Sequence, residues 1–214
     1  PTRIEHEIDI MEAEHHPVPA DFNVTVPPYM KEEIAEISRL ARRSPDVNQR
    51  SGVSVRASIA NYESMLANAL RRAIVTGEDI VVPRVSDLPY VVPTLTGKVE
   101  FETVEEGRED QIIEKLIQGA VVAVFNRHFN LGELEPVVTR FKAGFAAEVS
   151  ELTPSEEYVK LARSVDGLSQ AVEKIGGNNS PAETAAAVEF LLDGLHLNKR
   201  LNKDKVAGRT QYRG

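Results

Sequence analysis

Regularly spaced apolar residues between Val55 and Ile74 are the feature that most constrains how this chain can fold. They recur at steps of three and four residues, at Ile59, Tyr62, Met65, Leu66, Ala69, Leu70, Ala73 and Ile74. This is the period of an α-helix, so the spacing predicts one long helix with one buried face. Ser54 is suited to cap its N-terminus, and Gly77 stands where a left-handed residue commonly ends a helix.

Arg56 is the unusual residue of this predicted helix. It falls in the first turn, where the partial positive charge of the helix N-terminus disfavours a cation. A cation placed there usually needs an anionic partner. On the residues alone, an ion pair with Glu63 or another local acid is the ordinary interpretation.

The residues on either side of the predicted helix form a family pattern. The helix opens with Gly52-x-Ser54-x-Arg56-Ala57, and its end is followed by Gly77-Glu78-Asp79-x-Val81-x-Pro83-x-x-x-Asp87-Leu88. This stretch resembles the lid domain of AAA+ ATPases of the MoxR and magnesium-chelatase I-subunit type. The pattern departs from the family at two points: Ile80 stands where an aromatic residue is common, and one additional residue separates Pro83 from Asp87.

The resemblance implies a role for the arginine and for the rest of the protein. Arg56 corresponds to the sensor 2 arginine, which reaches a nucleotide phosphate, and Gly52 and Ser54 support its turn. The intact protein would be an ATPase that binds ATP and Mg, whereas this chain alone would bind neither. The implied partners are the ATPase core domain, neighbouring subunits of a ring oligomer, and a protein client that the ring remodels.

The patterns along the chain predict a mainly α fold, with an AAA+ lid-type helical bundle followed by a second helical lobe and at most one short strand or hairpin. Apolar spacing predicts helices over residues 2–14, 29–43, 109–129 and 134–149, and a short helix from Pro83. Capping boxes at Thr153 with Glu156 and at Ser180 with Glu183 predict two more. Alternating residues around 96–102 predict a short strand.

These elements suggest four segments. Residues 1–20 would be a linking helix after the ATPase core, residues 21–95 the lid bundle, residues 96–198 a C-terminal helical domain and residues 199–214 a basic tail. The tail carries six basic residues and one acid, which is typical of a solvated, frayed terminus or of a docking tail for an acidic partner. We expect the chain to be a piece of a longer polypeptide.

Composition excludes several classes of protein. The chain has no Cys, which excludes a disulfide framework and a thiolate metal site. It has no apolar run long enough for membrane insertion and no signal-peptide pattern, so a cytoplasmic protein is expected. Its net charge of −8 argues against binding nucleic acid.

Catalytic chemistry is not predicted for this chain. ATP hydrolysis needs a GxxxxGK[ST] loop, which neither Thr96-Gly97-Lys98 nor Gly176-Gly177 provides, so no catalytic residue is assigned. His15-His16 cannot both face one ion on a helix, and no metal site is predicted. The acid pairs Glu105-Glu106 and Glu156-Glu157 are typical of helix starts.

A non-enzymatic helical protein-interaction module is the alternative. It predicts that Arg56 faces an internal acid and that a hydrophobic groove lies among the helices after Glu109.

Overall fold

The structure, a computed structural model, describes residues 3–48, 50, 52–102, 108–206 and 208–214. Predictions that involve Thr2, Ser51, Glu105 and Glu106 lie outside the described residues.

Most of the described chain is helical, which confirms the mainly α class. The α-helices are α1 (Ile4–Glu14), α2 (Pro28–Ala41), α3 (Val55–Thr76), α4 (Val92–Thr96), α5 (Glu109–His128), α6 (Glu135–Lys142), α7 (Ser155–Ser164), α8 (Leu168–Lys174) and α9 (Pro181–Leu197). Two 3-10 helices add Val85–Val91 and Leu131–Leu134.

Five short strands form two small sheets in the described residues, which is more β structure than the single strand or hairpin expected. They are β1 (Asn23–Val24), β2 (Ile80–Val81), β3 (Ala146–Val149), β4 (Asn202–Val206) and β5 (Arg209–Arg213). β1 and β2 pair in parallel, and the antiparallel sheet has the order β3-β5-β4.

Helix α3 forms where the apolar spacing predicts it. The Ser54 hydroxyl accepts a hydrogen bond from the Arg56 N–H at 3.2 Å, and Gly77 ends the helix in the left-handed region with a φ of 70°. One detail of the prediction was wrong. Ile74 is 61% exposed, whereas Arg72, which the periodicity did not place on the buried face, is completely buried.

Two predicted helix starts differ from the structure. No capping box forms at Thr153, since its hydroxyl accepts a hydrogen bond from the Ser150 N–H while α7 begins after Pro154. The short helix predicted to start at Pro83 is a 3-10 helix that starts at Val85. The predicted start of α9 is confirmed, because Ser180 caps the helix and its hydroxyl accepts from the Glu183 N–H. The Glu183 carboxylate accepts from the Ser180 hydroxyl at 2.8 Å, so the N-cap half of the predicted capping box is the part that the described structure contains.

Pairing between distant segments overrides two further predictions. The helix predicted over residues 134–149 ends at Lys142, and the chain then turns at Gly144 (φ 96°) into β3, which pairs with β5. The strand predicted over 96–102 is reduced to a bridge between Phe101 and Val47, because α4 extends to Thr96.

Residues 199–214 contain a hairpin, so the frayed terminus was a wrong expectation. β4 and β5 form this hairpin, and the Tyr212 side chain is buried. The main apolar core extends from Met11 in α1 to Tyr212 in β5 and includes residues of both predicted lobes. Helix α2 packs on α5, and α9 packs on both α5 and α7. Among the described helices, none is both long enough and apolar enough to cross a membrane.

Candidate functional site

Arg56 lies exposed on the first turn of α3. Gly52 supports the preceding turn with a φ of 67°, a conformation that other residues rarely adopt, and Ser54 caps the helix. Glu63, the local acid proposed as a partner, instead accepts hydrogen bonds from the backbone N–H and ring Nδ1 of His16, at 2.9 and 2.7 Å. No carboxylate of the described ranges pairs with the Arg56 guanidinium. This cation at a helix N-terminus therefore lacks a compensating anion in the described structure.

The other two arginines of α3 do have partners. Arg71 is partly exposed and forms an ion pair with Glu151. Arg72 is completely buried and donates to the Val82 carbonyl at 2.9 Å and to Asp87 Oδ2 at 2.7 Å. The guanidinium of Arg72 also lies 3.6 Å from Glu78.

Arg84 is the second fully buried arginine in the same region. It donates to Glu78 at 3.0 Å and to the Ser155 hydroxyl at 2.8 Å, and it lies 3.8 Å from Glu189 in α9. Its guanidinium also stacks over the Tyr158 ring of α7, 5.0 Å from the centroid. We call Arg72, Glu78, Arg84, Asp87 and Glu189 the arginine cluster.

Burial perturbs the ionisation of the arginine cluster. It raises the pKa of the Asp87 carboxyl above its ordinary value, although the neighbouring Arg72 guanidinium acts in the opposite direction. It also raises the pKa of the Tyr158 phenol, which donates to Glu189 at 2.6 Å. Asp87 remains hydrogen-bonded to the Arg84 N–H and to Asn68, each at 2.7 Å, so the cluster is a connected network of buried charges.

The cluster gives two of the three acids of the family-like pattern, Glu78 and Asp87, a structural role without a nucleotide. Glu78 accepts hydrogen bonds from the Ser155 N–H and hydroxyl. Its carboxylate therefore caps the N-terminus of α7, where the sequence predicted a capping box of Thr153 and Glu156. Sequence reasoning missed Arg72 and Arg84. The spacing could have shown that Arg72 lies on the buried face of α3, because Arg72 follows Ala69 by three residues and Met65 by seven, and both are buried.

A cavity of about 350 Å³ lies where the 3-10 helix Val85–Val91, α5 and α9 meet the sheet β3-β5-β4. We call it the junction cavity. Two nearly buried carboxylates one turn apart on α9, Glu189 and Asp193, contribute to its lining. Asp193 Oδ1 accepts hydrogen bonds from Lys203 at 2.5 Å and from the Tyr212 phenol at 2.6 Å. Burial, followed by the Asp193 charge, raises the pKa of that phenol.

His15, His16 and His128 each contact a different partner. The His15 ring meets the Tyr62 ring edge to face at 5.1 Å, His16 binds Glu63, and His128 lies 3.0 Å from Glu32. No group of three or more metal-ligating side chains occurs in the described part of the chain.

Comparisons with known proteins give no relative from which a function can be transferred. No protein-family model, no curated protein and no solved structure matches this chain. The exposed arginine, the arginine cluster and the junction cavity are therefore the three features from which a function has to be argued.

Proposed function

We propose that this chain is the nucleotide-sensing lid and C-terminal partner-binding region of a magnesium-chelatase-like, MoxR-like AAA+ ATPase. In this proposal the ATPase core binds ATP and Mg, and Arg56 of the lid contacts a nucleotide phosphate. Hydrolysis in the core would then be coupled to the remodelling of a protein client by a cytoplasmic ring oligomer.

The exposed, uncompensated guanidinium of Arg56 is the observation that carries the proposal. A cation in the first turn of a helix is opposed by the helix dipole, and no described acid offsets this cost. A phosphate would supply the missing negative charge and match the planar fork of hydrogen-bond donors of arginine. Gly52 in the left-handed region and the cap at Ser54 position the helix end that carries Arg56.

The arginine cluster supports the coupling part of the proposal. It connects α3 to the start of α7 through Ser155 and to α9 through Glu189. Separating these helices would leave buried charges unpaired, at a cost of about 3–5 kcal/mol for a broken pair. A movement of α3 is therefore expected to carry the C-terminal helices with it.

The interaction-module alternative is supported by one of its two expected features. The junction cavity lies beside α5 and has several apolar lining residues, as expected for a partner groove after Glu109. Its other expectation was an internal acid facing Arg56, and the described residues provide none. The cavity is compatible with both proposals, whereas the exposure of Arg56 favours the lid.

ATP binding and turnover by the full-length polypeptide, compared between wild type and Arg56→Ala, test the proposal. The variant is expected to lose about tenfold to one hundredfold in nucleotide affinity or turnover, because a hydrogen bond to a charged group contributes about 1.5–3 kcal/mol. Arg163→Ala is the matched control, since Arg163 is also exposed and lies on α7 without an ion pair in the described structure. The 214-residue chain alone serves as the inactive reference.

Two results would contradict the proposal. One is a full-length polypeptide that contains no phosphate-binding loop and does not bind ATP. The other is turnover and affinity that stay the same in Arg56→Ala and Arg163→Ala, which would make Arg56 an ordinary surface residue.

A further inference from the structure

We infer that the junction cavity is a binding site for an aliphatic ammonium group, carried on a short apolar stem. This inference is independent of nucleotide sensing, because it rests on residues of the 3-10 helix Val85–Val91, α9 and the C-terminal hairpin. It assigns a ligand chemistry to the C-terminal partner-binding region, for which the proposed function names no binding chemistry.

The unused hydrogen-bonding atoms of the cavity carry the inference. Asp193 is 7% exposed, and both of its described hydrogen bonds go to Oδ1, so Oδ2 accepts none from the described residues. The Ser86 hydroxyl is buried without a partner in the described structure, although the Ser86 N–H donates to Glu189 at 3.1 Å. A buried polar atom without a partner is costly, and a ligand can remove that cost.

His196 contributes a further acceptor. Its ring Nδ1 lies 3.1 Å from the Leu201 carbonyl oxygen. A carbonyl can only accept, so Nδ1 carries the proton in the neutral ring and Nε2 is left with a lone pair. Nε2 has no hydrogen-bond partner among the residues that the structure describes. An ammonium group has three N–H donors and no acceptor, so its chemistry complements a carboxylate oxygen, an imidazole nitrogen and a hydroxyl oxygen, and Asp193, His196 and Ser86 all line this cavity.

The charge and the shape of the cavity agree with this ligand. Four carboxylates and two lysines line it. Glu151 is paired with Arg71 and Glu189 lies 3.8 Å from Arg84, so Glu114 and Asp193 are the lining carboxylates without an arginine partner in the described structure. One of the lysines, Lys203, is already paired with Asp193 and also lies over the Tyr212 ring. The apolar lining includes Val121 and Val149, which suit a hydrocarbon stem, and the volume of about 350 Å³ falls within the range of small-ligand sites.

Titration of the chain with pentylamine and with Nα-acetyl-lysine amide, followed by NMR, tests the inference. 1-Pentanol and Nα-acetyl-norleucine amide are the neutral controls of matching length. Saturable binding of an amine is expected, with weaker or no binding of its neutral control. Pentylamine represents a small-molecule amine and the lysine amide a partner's side chain, so binding of either supports the inference and their relative affinity indicates the source.

Two variants locate the bound group. Asp193→Asn is expected to weaken amine binding about tenfold to one hundredfold, and Ser86→Ala by about threefold to tenfold with little effect on folding. Glu157→Gln is the control, because it also removes one negative charge but lies exposed on α7 and outside the cavity lining. The inference would be overturned if no amine bound, if pentanol bound as tightly as pentylamine, or if Ser86→Ala and Asp193→Asn both bound like Glu157→Gln.

Discussion

Adjacent arginines of α3 provide a matched test of the arginine cluster. Arg72 is completely buried, whereas the Arg71 side chain is 47% exposed and pairs with the partly exposed Glu151. We compare Arg72→Met with Arg71→Met, because methionine keeps an unbranched apolar stem and removes the charge. Both substitutions change the net charge equally and occur in the same helix.

The structure sets the expected size of each effect. Arg72→Met removes two buried hydrogen bonds, to the Val82 carbonyl and to Asp87, and leaves the Asp87 carboxylate without its guanidinium partner. Breaking a buried pair from one side costs about 3–5 kcal/mol. An exposed pair such as that of Arg71 contributes at most about 1 kcal/mol. For a chain of this length, the larger loss corresponds to a decrease in Tm of roughly 6–20 °C.

The Arg72 effect should also depend on pH. Burial holds the pKa of Asp87 above its ordinary value of 3.8, and loss of the Arg72 charge is expected to raise it further. A carboxyl whose folded pKa is raised contributes stability that is present below the unfolded pKa and is lost as pH rises through the folded pKa. The difference between Arg72→Met and wild type should therefore shrink as pH falls towards 3.8.

Urea unfolding followed by far-UV circular dichroism measures both quantities, and suits a chain that has no tryptophan. The reasoning would be refuted if Arg71→Met and Arg72→Met destabilised the chain equally. It would also be refuted if the cost of Arg72→Met stayed constant between neutral pH and pH 4.

Two further substitutions address buried positions. Glu33 is completely buried with both carboxylate oxygens unpaired in the described structure, and burial, then the Asp193 and Glu32 charges, raises its pKa well above 4.5. Stability should decline as pH rises from 4.5 through the folded pKa, and Glu33→Gln should flatten that decline in unfolding curves measured at several pH values. Gly194→Ala would place a methyl group inside the Phe125 ring, so we expect a loss of about 1–3 kcal/mol or more from overpacking, measured by urea unfolding.

Each of these substitutions has a control. Glu157→Gln changes an exposed carboxyl and should leave the pH dependence as in wild type. Gly132→Ala places its methyl group no closer than 3.7 Å to another residue, so it should cost much less than Gly194→Ala. The Glu33 prediction would be contradicted if the stability of wild type rose between pH 5 and pH 8 and rose to the same extent in Glu33→Gln. The glycine prediction would be contradicted if Gly194→Ala and Gly132→Ala were equally stable.

Short-range features of the sequence determined much of the fold. The three- and four-residue spacing predicted α3, and Ser54 and Gly77 marked its ends because a cap and a left-handed residue act on the nearest turn. The same reasoning predicted α5 and the start of α9. It also singled out Arg56, whose unfavourable position depends only on its place in the first helical turn.

Long-range contacts decided the rest. Ala146–Val149 is a strand because β5 pairs with it, and α7 starts at Ser155 because Glu78, from a distant segment, occupies its N-terminus. The burial of Arg72 and the opening beside Asp193 depend on elements that meet only in the folded chain. A pattern within one segment reflects interactions between residues one or two helical turns apart. Strand pairing and the burial of charge depend on partners far away in the sequence. The sequence by itself therefore determined the longer helices α1, α2, α3, α5 and α9 and the candidate arginine. The tertiary structure alone decided the arginine cluster, the two sheets and the junction cavity.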